Sequence, residues 1–256
     1  MQNNQMINLA IMGIGTIGKR HLMAIDAIEN VNLCGIVDLT EDAREFCNSK
    51  KISLFDDLIE LKKSTKVDGV IISTPTIMHH ENALSALNLG LDVLIEKPIS
   101  ATSSEAEQIE KIAQINNCSV LVGHQRRFNP TVLKTKEIIH EKRIGKVIGL
   151  SGIWALRKDE EYFLPEWRKK ISAGPVITNL IHDIDYLRFI FGEITEVSAF
   201  SSNNINNFEK GEWWVQDFAS MLPLALNPKA KNLDILDILS LIHISEPTRP
   251  LYISYA

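Results

Sequence analysis

The stretch Ile7-Asn8-Leu9-Ala10-Ile11-Met12-Gly13-Ile14-Gly15-Thr16-Ile17-Gly18 decides the fold. Its first half, Ile7–Met12, is a short, mostly apolar run of the kind that forms a strand covered on both faces. The run passes without a break into Gly13-x-Gly15-x-x-Gly18, which opens an amphipathic segment at residues 17–28. Strand, glycine turn and helix in immediate succession are the start of a βαβ unit. Four further apolar runs, residues 32–38, 69–73, 92–96 and 119–123, predict strands of the same kind, with a weaker one near residues 52–54. Between them, residues 41–48, 55–61, 78–89 and Ser103–Asn116 carry helical spacing. Strands alternating with helices in this way predict an α/β domain, a doubly wound parallel sheet of Rossmann type, over residues 1–124.

The pattern changes after Pro130. Residues 131–141 predict a helix, 146–156 an alternating antiparallel strand, and 176–191 a helix closed by Gly192. Further strand-like runs fall at residues 197–201 and 213–226. We read residues 125–222 as a partial α+β domain with an open mixed or antiparallel sheet. At 256 residues, 45% hydrophobic and 23% charged, the chain has the composition of a globular protein. A net charge of −5 creates no basic field for nucleic acid or anionic lipid, so neither is an expected partner. No apolar run reaches the ~18–20 residues of a membrane span, and the amino terminus lacks the basic start of an export signal. Cys34, Cys47 and Cys118 are widely spaced, which offers no metal-ligand pair and suits a reducing, cytoplasmic compartment.

The glycine motif has a chemical meaning in this context. Glycines permit a tight turn, close approach of the backbone to a pyrophosphate, and close packing of helix on strand. The helix start then presents free N–H groups and its positive dipole end to phosphate. Asp38 ends the second strand 20 residues after Gly18, where a carboxylate accepts hydrogen bonds from adenosine ribose hydroxyls and repels a 2′-phosphate. The expected cofactor is therefore NAD, with NADP disfavoured although Arg44 lies nearby in sequence. The fifth strand ends in Glu96-Lys97-Pro98, and ligands of open α/β sheets bind beyond the carboxyl ends of strands. Pro98 restricts its neighbour, which fixes the direction of Lys97.

Taken in order, Gly13–Gly18, Thr74-Pro75-Thr76 with His79, Glu96-Lys97-Pro98 and Gly123-His124-Gln125-Arg126-Arg127-Phe128 resemble the Gfo/Idh/MocA family of NAD(P)-dependent sugar and polyol oxidoreductases. The likeness continues through Glu166-Trp167-Arg168, Ala173-Gly174-Pro175 and His182-Asp183-Ile184-Asp185. It implies hydride exchange between a nicotinamide and a carbinol carbon of a sugar, polyol or related cyclic alcohol. By this resemblance His182 is the general base and Lys97 stabilises charge on the reacting oxygen. Cofactor contacts are implied for Gly13, Ile14, Gly15, Thr16, Ile17, Gly18, Asp38, Ser73, Thr74, Pro75, His79, Glu96, Lys97, Gln125, Trp167 and Arg168. Substrate contacts are implied for Arg127, Asn179 and Asp185, and homo-oligomers for the full-length protein. His80 and His124 read as structural or cofactor-contacting.

Two departures stand out. The family often has an aspartate four residues before the catalytic histidine, where this chain has Thr178. On a regular helix Asn179 and Asp185, three residues to either side of His182, share its face and offer substitutes. The second departure is the tail. Family members usually continue for about another hundred residues, whereas here the pattern fades over 223–256. Residues 239–249, LSLIHISEPTR, resemble the in-frame translation of a transposase sequencing adapter, so 239–256 is expected to be artefactual. The competing reading is a non-catalytic dinucleotide-binding or regulatory module, or an inactive fragment.

Overall fold

The computed structural model describes residues 6–150, 152, 160–164, 166 and 176–197. The chain divides into two compact units, Met1–His124 and Gln125–Ala256. The first holds a six-stranded sheet, all of whose ladders are parallel: β1 Ile7–Met12, β2 Val31–Val37, β3 Leu54–Phe55, β4 Gly69–Ile72, β5 Asp92–Ile95 and β6 Val120–Val122. Strand order is β3-β2-β1-β4-β5-β6. The order reverses between β1 and β4, which opens a crevice beyond their carboxyl ends.

Alternation along the strands separates two cores. Ile11, Ile36 and Ile71 point to one face and are covered by Leu22 and Ile25 of α1 (Thr16–Asp26) and by Ala43 and Cys47 of α2 (Glu41–Lys50). Ala10, Met12, Val70 and Ile72 point to the other. There they meet Leu58 and Leu61 of α3 (Leu58–Ser64), Ala83 and Leu87 of α4 (His79–Asn88), and Ile109 and Ala113 of α5 (Ser103–Asn116). Six strands and five helices fall where the sequence predicts them, with ends shifted by up to three residues. The largest shift is in α3, because Asp57 caps it by accepting from the Glu60 N–H at 2.7 Å and so starts it later than the apolar pattern does.

At the opposite end of the sheet a polar ladder ties β1 to β4. Asp68 Oδ2 accepts from the Asn8 N–H at 2.8 Å and from Asn8 Nδ2 at 3.0 Å, and Lys66 stands 3.0 Å from Oδ1. The Asn8 N–H, with help from Lys66, holds the Asp68 carboxyl below its ordinary range. A group with a depressed folded value stabilises above its unfolded pKa and stops doing so as pH falls through the folded one. Asp68→Ala is expected to cost about 1 kcal/mol at pH 7, seen as a Tm lower by a few degrees. The gap between variant and parent should narrow as pH drops below about 4; calorimetry across pH checks both.

The regular elements among the described residues of the second unit are helices and helical turns. α6 (Pro130–His140) is capped by Asn129, whose side chain accepts from the Thr131 N–H at 2.9 Å, with Pro130 in its first turn. α7 (Ile181–Phe191) follows a single π turn at Val176–Leu180 and ends at Gly192, φ 101°. Residues 146–150, expected to begin a strand, are irregular. The remainder of that strand, the expected open sheet, and residues 223–256 lie outside the described residues. Among the described residues no helix is long and apolar enough to cross a membrane.

Candidate dinucleotide and catalytic site

The three glycines of the loop have different reasons to be glycine. Gly13 has φ +88°, and a Cβ there would stand 2.8 Å from Thr74 N. A Cβ on Gly18 would stand 2.1 Å from Gly13 O, so α1 lies directly on the loop that starts it. Gly15 has an ordinary φ of −65°, and a Cβ on it would meet no protein atom within 4 Å. Neither backbone conformation nor packing requires glycine at position 15, and the open space beside it leaves room for a ligand to approach the backbone.

The start of α1 fits the same ligand. Its first intrahelical bond runs from the Lys19 N–H to Gly15 O, so the N–H groups of Thr16, Ile17 and Gly18 have no intrahelical acceptor. α2, α3, α5 and α6 each begin with a side-chain cap. α1 has neither a side-chain cap nor an acid in its first turn. An uncapped, acid-free helix start beside an open glycine is a cradle for a pyrophosphate.

Asp38 and Ser73 brace this loop. Asp38 Oδ2 accepts from the Ile14 N–H at 2.8 Å, and Oδ1 accepts from the Thr40 N–H at 2.9 Å and the Thr40 hydroxyl at 2.7 Å. Three of the roughly four lone-pair positions of the carboxylate are thereby engaged. Ile14, expected to contact cofactor, gives its N–H to Asp38. A ribose would meet Asp38 with about one free lone pair and with Thr40 as a partner it can displace. Arg44 stands 3.5 Å from Glu41, and both are exposed. Ser73 donates to Gly13 O at 2.7 Å. Thr74 accepts from Asn82 Nδ2 at 3.0 Å, and Pro75 precedes a 3₁₀ turn at Thr76–Met78.

Beyond β5 lies Glu96-Lys97-Pro98, whose Lys97–Pro98 peptide is cis. Glu96 folds back under the sheet end. Its Oε1 stands 2.9 Å from His21 Nε2 on α1, and its Oε2 accepts from the Lys97 N–H at 3.2 Å. Burial pushes the Glu96 carboxyl up, but the hydrogen bond and charge of His21, with Lys97, outweigh it and hold the group below its ordinary value. Gly123 leaves the room: a Cβ there would lie 3.1 Å from the Glu96 carboxyl carbon. His79 is 1% exposed, with Nδ1 2.8 Å from Pro98 O and Nε2 2.9 Å from Thr74 O. Both residues, expected to contact cofactor, make these bonds within the protein.

In the second unit His182 sits in the first turn of α7, 9% exposed. Arg126 and Arg127, from the 3₁₀ turn Gln125–Phe128, pair with the two aspartates that follow it. Arg126 Nη1 reaches Asp183 Oδ1 at 3.2 Å. Arg127 grips Asp185 through Nε, 2.8 Å from Oδ2, and through Nη2 to Oδ1. Burial pushes the Asp183 carboxyl up against the pull of Arg126, and Asp185 raises the Arg127 guanidinium. Arg127 and Asp185, expected at substrate, thus spend charge on each other. The π turn changes the position of Asn179 as well. Its i→i+5 bonding adds a residue to the turn, so the three-residue spacing of Asn179 and His182 is not that of a regular α-helix. The Asn179 amide donates to Thr178 Oγ1 at 2.9 Å. Trp167 and Arg168 lie outside the described residues.

Residues 7–124 match the model of the oxidoreductase family with an NAD-binding Rossmann fold, and residues 132–222 match that of the GFO/IDH/MocA C-terminal domain. The chain belongs to the Gfo/Idh/MocA family. The chain is 27% identical to the glucose-6-phosphate 3-dehydrogenase of Bacillus subtilis over 84% of its own length and 63% of the relative's. It is 32% identical to the 4-carboxy-2-hydroxymuconate-6-semialdehyde dehydrogenase of a Sphingobium species over 75% and 62%. It superposes on the crystal structure of myo-inositol 2-dehydrogenase from Lactobacillus plantarum with TM-score 0.67 at 26% identity, covering 74% of this chain and 57% of that one. The chain thus spans under two thirds of the length of these relatives.

Membership of an NAD(P)-dependent oxidoreductase family agrees with the loop geometry. The contact with Glu96 also draws attention to His21, which the sequence reading passed over. The signal was present: Gly18, Leu22 and Ile25 are the buried residues of α1, and His21, three residues from Gly18, borders that face.

Proposed function

We propose that the chain is the dinucleotide-binding part, with the start of the substrate domain, of an NAD-preferring dehydrogenase acting on a CH–OH group of a sugar, polyol or cyclic alcohol. The observation that carries this reading is the open space at Gly15 beside the uncapped start of α1. Two of the three relatives are named for a sugar phosphate and an inositol and support the polyhydroxylated class, while the third is named for a carboxylated semialdehyde. When bound, the nicotinamide accepts or returns the hydride. His182 takes the hydroxyl proton as the carbon–hydrogen bond breaks, a role that suits an imidazole near neutral pH. By the family resemblance Lys97 supplies a hydrogen bond that stabilises charge developing on the reacting oxygen. Trp167 and Arg168, with Gln125, contribute to the cofactor's nicotinamide end.

The preference for NAD rests on Asp38. Its carboxylate repels a 2′-phosphate, while Arg44 is turned to Glu41. NADH fluorescence titrated with the 256-residue chain tests the reading. Saturable binding tighter for NADH than for NADPH is expected, and no saturable binding of either would contradict it. Asp38→Ala should weaken NADH by about 1–3 kcal/mol, roughly 5- to 150-fold in Kd, and narrow the gap to NADPH.

A further inference from the structure

We infer that His21 and His79 are positioning residues that hold the turn bearing Lys97 from its two sides. His21 acts on the residue before the lysine: its Nε2 engages Glu96 Oε1, leaving Glu96 Oε2 to accept the Lys97 N–H. The Glu96 side chain is 13% exposed and that of His21 21%, so water competes weakly for this pair. His79 acts on the residue after the lysine, with Nδ1 at Pro98 O, while its Nε2 reaches Thr74 O. Burial keeps the His79 ring below its ordinary pKa. A neutral ring donates to one of those two carbonyls at a time. The histidines sit on different helices, and each helix also serves the dinucleotide crevice. α1 starts at the glycine loop, and α4 follows the turn begun by Thr74-Pro75. The clamp therefore ties the lysine to both loops that line the crevice. Neither histidine is asked to touch substrate.

The inference rests on the proposed role of Lys97, and its test separates the two. Amide hydrogen exchange of the peptide spanning residues 94–102 is measured in the 256-residue chain and in His21→Leu, His21→Gln, Glu96→Gln and His79→Gln. His21→Leu is expected to speed exchange in that peptide about 10-fold while Ile7–Met12 exchanges as before. His21→Gln, which keeps a donor toward Glu96, should restore most of the protection. In a full-length version with activity, His21→Leu should lower kcat about 10-fold or more and leave KM for NAD nearly unchanged. Unchanged exchange over residues 94–102 in both His21→Leu and Glu96→Gln would overturn the clamp. So would exchange that rises equally throughout β1, since that reports general destabilisation. Local exchange as expected without turnover on any alcohol would leave the clamp standing and overturn the dehydrogenase reading instead.

Discussion

His182→Ala is expected to lower kcat by ~10²–10⁴-fold in a full-length version, the range for removing a positioned general base. Lys97→Ala should lower it by ~10²–10³-fold, the cost of removing one donor to a developing oxyanion. In both variants NADH affinity should stay within about twofold, because neither residue is needed for the cradle at Gly15 and α1. The pH profile distinguishes them. Loss of the base should remove the rise of kcat/KM with pH that reports its deprotonation, whereas loss of the lysine should lower the whole profile. Thr178 bears on the size of the first effect. With threonine where the family often has a carboxylate, the imidazolium lacks that source of stabilisation, and Asp185 is engaged by Arg127. Steady-state kinetics with NAD and the best substrate of the panel described below provides the measurement.

Gly18→Ala and Gly15→Ala should separate fold from binding within one loop. A methyl group on Gly18 would stand 2.1 Å from the Gly13 carbonyl oxygen, a backbone atom that moves only if α1 or the loop moves. Gly18→Ala is expected to cost ~2–3 kcal/mol, with a Tm lower by several degrees and NADH binding lost with the geometry. Gly15→Ala meets no protein atom, so its Tm should stay within about a degree of the parent. Its NADH affinity should nevertheless fall roughly 10-fold or more, because the added methyl enters the space left for the pyrophosphate. Thermal melting and fluorescence titration of the two proteins check this. Equal behaviour of the two variants would mean that position 15 faces no ligand.

The cofactor domain was legible because its signals are local. A continuous apolar run means a covered strand, GxGxxG opening a helix means a crevice at β1, and a carboxylate 20 residues later marks the end of β2. What the sequence could not show is how these residues divide their hydrogen bonds. Asp38, Glu96 and His79 all read as ligand-facing groups. The fold engages three lone pairs of Asp38, both oxygens of Glu96 and the one N–H of the neutral His79 ring with the chain itself. The longer of these pairings, His79–Pro98, Ile14–Asp38 and His21–Glu96, join residues 19, 24 and 75 apart in sequence, and no periodicity reports them. The second unit shows a different obstacle. A helix over 176–191 was correct in extent, but a π turn and an α-helix carry the same apolar spacing over a few residues. Sequence spacing therefore does not tell the π turn that carries Asn179 from the α-helix that carries His182. The adjacent pair Arg126-Arg127 was visible as charge, and its match with Asp183 and Asp185 appears only once the turn and α7 meet.

The central claim, that this protein moves hydride between a carbinol carbon and NAD, is tested most directly by isotope transfer. A full-length version is incubated with NAD and a panel of carbinol-deuterated sugars, sugar phosphates and inositols, and the deuterium content of the reduced cofactor is read by mass spectrometry. The account predicts deuterated NADH from at least one polyhydroxylated alcohol, formed faster than with NADP and abolished by His182→Ala. Saturable NADH binding without deuterium transfer from any member of the panel would contradict it and leave a dinucleotide-binding module.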